Sequence, residues 1–92
     1  MTTGIAQIKN RTGLHARPAA ALCSEASKYK SEIRIKNLDR DSPEANVKSI
    51  FRIMSIGASQ GVSVQIFAEG EDEEAAVAAL IALIESGFHE QE

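Results

Sequence analysis

Two stretches of the chain carry apolar residues at every second position. Ile33 and Ile35 sit between Glu32, Arg34 and Lys36, and Val62, Val64, Ile66 and Ala68 alternate with Ser63, Gln65 and Phe67. A two-residue period marks strands buried on one face only. Thr3 to Lys9 reads as a further strand with less regular alternation, and Ala45 to Val47 as a short one. Between these strands the apolar period lengthens toward that of a helix. Ala19, Leu22, Cys23 and Ala26 share one helical face within residues 16–28, and Arg17, Ala20, Ala21, Ser24 and Lys28 look outward. Pro18 falls in the first turn, where its missing N–H costs no hydrogen bond. A short helix is expected from about Lys48 to Ser55, with Ile53 and Ile56 as core candidates and Gly57 as its stop. Glu71 to Glu74 open a last helix at its positive end. Its buried face is Val77, Leu80, Ile81 and Ile84, and Gly87 caps it. The order β-α-β-β-α-β-α predicts an α+β fold. A four-stranded, mostly antiparallel sheet would be covered by three helices on one face.

At 92 residues this is one domain, spanning 1–92, with a small core. A single cysteine excludes an intrachain disulfide and a cysteine-rich zinc site, and no metal or cofactor site is expected. Cys23 reads as a small core residue. The absence of tryptophan, one tyrosine and a net charge of −3 argue against nucleic acid as a partner. No apolar run is long enough to span a membrane, and Met1-Thr2-Thr3-Gly4 does not open a secretory signal, so a cytoplasmic protein is expected.

The net charge hides a division. All ten Lys and Arg residues lie between Lys9 and Arg52, a stretch with five acids; residues 53–92 carry eight acids and no base. Such a split orients a molecule toward an acidic partner through its basic part, or else is simply a solvated surface with acids gathered at a helix start.

His15 is the sharpest chemical feature. It follows Gly13-Leu14 and precedes the first helix, beside the free N–H groups of Ala16 and Arg17. Those groups and the helix dipole favour an anion. The Arg17 guanidinium suits phosphate oxygens. A neutral imidazole in that place can attack phosphorus and hold the phosphoryl group. The plainer alternative is a histidine that only caps the helix. His89 is given no function.

Gly13-Leu14-His15-Ala16-Arg17-Pro18-Ala19 resembles the active-site motif of the HPr family, the histidine phosphocarriers of the bacterial phosphoenolpyruvate-dependent phosphotransferase system. Two further blocks lie in the same register, and the resemblance runs from about residue 3 to 88. Lys48-Ser49-Ile50-Phe51, with Ser55-Ile56-Gly57 and Gln60-Gly61, is similar to the block around the family's regulatory serine. Ala68-Glu69-Gly70-Glu71-Asp72-Glu73 is similar to the start of its last helix. The resemblance implies an open-faced β-sandwich. It implies a monomeric carrier without turnover of its own. Such a carrier takes a phosphoryl group from phosphorylated enzyme I on His15 and hands it to an enzyme II A-type domain. Arg17 would stabilise the phosphate. Ser49 would be the target of an HPr kinase/phosphorylase. The partner surface would comprise Ala16, Arg17, Ala20, Ser24, Lys28, Lys48, Ile50, Phe51, Arg52 and Met54.

Some positions depart from the family pattern. Ser24 and Ser27 stand where many members carry lysine. The loop Asn37 to Glu44 is longer than in sugar-system members. Glu44-Ala45-Asn46 and Ala82 to Phe88 resemble the nitrogen-related branch. An alternative reading follows, a mainly regulatory protein acting through partner binding that depends on Ser49 phosphorylation.

Overall fold

The computed structural model describes residues 1–89. Its elements are β1 (Thr2–Gln7), α1 (Ala16–Ala26), β2 (Glu32–Asn37), β3 (Ala45–Asn46), α2 (Ile50–Ser55), β4 (Ser63–Glu69), α3 (Glu73–Glu85) and a 3₁₀ turn at Gly87–His89. The strands form one sheet in the order β1-β4-β2-β3. Every pairing is antiparallel, where a mostly antiparallel sheet was expected.

The alternation sets which residues face inward. Ile66 of the central strand lies between Gly4 of β1 and Ile35 of β2, and Ile35 in turn faces Ala45 of β3. Val64, Ile66, Ala68, Ile33 and Ile35 are buried with Leu22, Ile53, Leu80 and Ile84 from the helices. Burying each such Val, Leu or Ile is worth roughly 1.5–3 kcal/mol before chain entropy is set against it. The less regular β1 obeys the same rule: Ala6 is buried while Ile5 is 62% exposed on the open face. Gly4 has a steric reason, since a Cβ there would stand 2.4 Å from Ile81 Cδ1 and 3.0 Å from Val77 Cγ1. Its bare backbone lets α3 lie close against β1.

The helix ends differ from the expected bounds for identifiable reasons. α2 begins at Ile50, because Asn46 Oδ1 accepts from the Lys48 N–H (2.9 Å) and Asn46 O from the Ser49 N–H (3.1 Å), making a turn of residues 46–49. α3 begins at Glu73, because Gly70 O accepts from the Glu73 N–H (3.3 Å) in a turn of residues 70–73; the Asp72 carboxylate, at the N-cap position, makes no capping bond. Asp72 instead accepts from the N–H groups of Lys30 (2.8 Å) and Ser31 (3.0 Å) and from the Ser31 hydroxyl. Glu73 reaches back to the Gly70 N–H (3.2 Å). Gly87, with φ 72°, ends α3 as expected. Cys23 and Ile81 are half-buried against the core and do not lie inside it.

Asp72 thus ties the α1–β2 turn to the start of α3. Ser31 and Lys30 donate to its charged form and hold its carboxyl below the usual aspartate range. The bond's stabilisation is therefore present above the unfolded-state pKa and lost as pH falls through the lower folded-state one. In urea unfolding, wild type should lose stability from about pH 4 downward. Asp72→Asn should be less stable at pH 7 and lose less on acidification. An equal acid loss in both proteins would remove Asp72 from the acid response.

Candidate functional site

Residues 10–14 turn back sharply between β1 and α1. Asn10 Nδ2 donates to Gly13 O (2.9 Å) and to Thr12 Oγ1 (2.9 Å), and Gly13 N–H donates to Asn10 O (3.2 Å). Gly13 adopts φ 65°. A Cβ there would stand 2.7 Å from Ala58 O and 2.8 Å from Ser59 Cα. That close approach lets Leu14 N–H donate to Ala58 O (2.9 Å) while the Leu14 side chain enters the core. The loop before His15 is therefore fastened to the loop after α2.

His15 occupies the N-cap position of α1 with extended backbone, φ −84° and ψ −170°. Its carbonyl accepts from Ala19 N–H (2.8 Å), but its side chain makes no capping bond. The capping alternative is thus excluded. The imidazole is exposed and uncommitted, and among the described residues the Ala16 and Arg17 N–H groups have no acceptor. Pro18 and Ala19 anchor the first turn by burial, and Arg17 stays exposed. An anion on the imidazole meets two N–H donors, a helix N-terminus and a guanidinium.

α2 runs beside α1 in the opposite sense. At its start Lys48 Nζ donates to Tyr29 O (2.8 Å), beyond the end of α1; at its end stands Ala58, which holds Leu14. The end of α2, through Ala58, therefore lies on the His15 side, and its start lies beyond the other end of α1. Ser49 is the N-cap of α2, with Oγ accepting weakly from Arg52 N–H (3.4 Å), so its capping role is observed. Ala16, Arg17, Ala20, Ser24, Lys28, Lys48, Ile50 and Arg52 are all exposed, and Phe51 is 86% exposed. Met54 is half-buried against the core and belongs only partly to that surface.

Two features of the site escaped the sequence reading. One is the Leu14–Ala58 fastening, for which the only local signal was a glycine before the histidine. The other is Arg40, whose guanidinium lies over Gly57.

Residues 3–86 match the family described as PTS HPr component phosphorylation site. The chain is 44% identical over 88 residues to a multiphosphoryl transfer protein of Vibrio cholerae, covering 96% of this chain and 22% of that protein. It thus spans about a fifth of that relative's length. It is 46% identical over 80 residues to phosphocarrier protein HPr of Mycoplasma genitalium, covering 87% of this chain and 89% of that one. The crystal structure of HPr-C-His from Thermoanaerobacter tengcongensis matches with a TM-score of 0.91 at 50% identity, covering all of both chains. HPr of that organism has also been crystallised as a dimer, which matches with a TM-score of 0.74 at 51% identity and covers 98% of this chain and all of that one.

Gly13 combines a left-handed backbone with a contact that leaves no room for a side chain. Gly13→Ala should cost about 1–3 kcal/mol by strain alone. The amide of Leu14 should exchange with solvent faster relative to amides in β4. Unchanged Leu14 protection would show that the fastening tolerates a Cβ.

Proposed function

This chain belongs to the HPr family, and from that premise we propose that it carries a phosphoryl group on His15 between phosphorylated enzyme I and an enzyme II A-type domain. The uncommitted imidazole at the head of α1, beside unpaired N–H groups and Arg17, supports this reading most directly. The neutral ring attacks the phosphorus of the donor's phosphohistidine. A new P–N bond forms as the donor's P–N bond breaks, and that bonding pair returns to the donor imidazole. The Ala16 and Arg17 N–H groups and the Arg17 guanidinium then hold the phosphoryl oxygens. The second transfer repeats the exchange toward the acceptor. The protein is consumed and regenerated stoichiometrically, and because one chain supplies the whole His15 site a monomer suffices for the transfer.

Incubation with phosphoenolpyruvate and enzyme I tests the carrier role. One acid-labile, alkali-stable phosphate should appear per chain and be absent from His15→Ala. Arg17→Lys keeps the charge without the planar fork, so it should retain partial transfer, while Arg17→Glu should lose nearly all of it. Equal transfer by wild type and Arg17→Glu would remove Arg17 from the mechanism.

Ser49 is the proposed site of a second, regulatory phosphorylation by an HPr kinase/phosphorylase. As the N-cap of α2 it would place about −1.5 to −2 charges at a positive helix end, so the fold tolerates them. Ser49→Asp should leave the melting temperature within about 2 °C of wild type, as a surface substitution does. It should also raise the KM for transfer from enzyme I. Kinase-phosphorylated protein with unaltered transfer kinetics would leave Ser49 a helix cap only.

A further inference from the structure

The ten cations are not used alike. Lys9, Lys28, Lys30 and Arg34 pair with Glu85 (3.8 Å), Glu25 (3.1 Å), Glu71 (3.2 Å) and Glu44 (3.6 Å). Lys48 holds Tyr29 O. Among the described residues, Arg11, Arg17, Lys36, Arg40 and Arg52 have no carboxylate partner. Arg11 and Arg17 flank His15 in the chain, and Arg52 lies on α2.

Arg40 comes from a different part of the sequence. Its loop, residues 38–44, is folded back by internal bonds. Buried Asn37 takes the Ser42 hydroxyl oxygen as acceptor for its N–H (3.1 Å), and its Oδ1 accepts from Asp39 N–H (2.9 Å). Asn37 Nδ2 then donates to Ile56 O (3.0 Å), fastening the loop to the end of α2. The Arg40 guanidinium arrives over Gly57, with Nη1 2.5 Å from where a Cβ would be. Gly57 adjoins Ala58, the acceptor for Leu14 N–H, and Leu14 adjoins His15. The charge therefore stands on the His15 side of the molecule, two residue steps and one hydrogen bond from the carrier. Asp39 and Asp41 flank it in the chain, and among the described residues neither forms an ion pair with it.

We propose that Arg40 is a docking residue for the phosphoryl donor, meeting carboxylates that border the donor's own phosphorylated site. The proposal rests on the carrier reading. An unpaired, exposed cation on the side of the molecule that carries the reacting group attracts an acidic protein face within a Debye length. It does so without touching the phosphoryl group, so it affects encounter and not chemistry. A purely structural role is the alternative: a cation near the end of α2 complements the helix dipole.

Salt separates the two. Initial rates of transfer from phosphorylated enzyme I are measured against carrier concentration at about 0.02 and 0.5 M salt. Arg40→Glu should raise KM about tenfold at low salt and less than about twofold at high salt, with kcat unchanged. Arg40→Gln should raise it about threefold at low salt. Lys36→Gln, which removes the unpaired cation on the open sheet face, should leave KM unaltered. If Arg40→Glu fails to fold, Arg40→Gln carries the test. An unchanged KM at low salt, a defect of equal size at high salt, or an equal defect in Lys36→Gln would each overturn the proposal. A wild type that accepts no phosphate at all would overturn the carrier reading and this proposal together. A wild type that is phosphorylated beside Arg40 variants that behave identically would overturn the proposal alone.

Discussion

The burial of one face of β4 is the interaction on which the other elements depend. β4 is flanked on both sides by antiparallel partners, and its Val64, Ile66 and Ala68 are buried. All three helices must therefore lie on that side, and the other side stays open, with Ile5 exposed upon it. Space under the helices is then scarce. α3 fits over β1 because Gly4 has no side chain, and α1 contributes small residues, Ala19 and Ala26, on either side of Leu22. A small domain gains little from each contact it makes, so close layers matter more here than in a larger protein.

That crowding also makes the site. With α1 and α2 side by side and opposed, the loop entering α1 and the loop leaving α2 meet at one end. The Leu14–Ala58 hydrogen bond closes that meeting, and Gly13 permits it. Because the turn is fastened by backbone and by Asn10, the His15 side chain is not needed to hold the helix start. An imidazole free of structural duty is one that can exchange a phosphoryl group.

Much of this was legible in the sequence, and the exceptions share a cause. The alternation of β2 and β4, the apolar face of α1 and the stop at Gly87 are each set by neighbours within a few residues. The sequence motif around His15 was equally local. The sheet order β1-β4-β2-β3 was not legible, because pairing joins residues far apart in the chain. For the same reason the direction of α2 relative to α1 and the position of Arg40 on Gly57 could not be read. The acids at Glu71 to Glu74 marked the start of α3, but not that Asp72 would spend its carboxylate on two N–H groups and a hydroxyl from a distant turn.

The opposed helices also separate the two proposed phosphorylation sites, His15 and Ser49, in space. α2 has six residues, so it is about 9 Å long, and Ser49 and the His15 side lie at opposite ends of it. A phosphate on Ser49 would therefore lie about one length of α2 from the His15 side. Its charge, screened over roughly 8–10 Å in ordinary salt, would be felt mainly by Lys48 in the turn before the helix, by Arg52 on the helix and by whatever covers Ile50 and Phe51. It would act most strongly on the cations at that end and more weakly on Arg17 and Arg40. Regulation from Ser49 then has one physical route, through the affinity of a partner broad enough to cover both ends of α2. A partner whose footprint stops at His15 would not sense it.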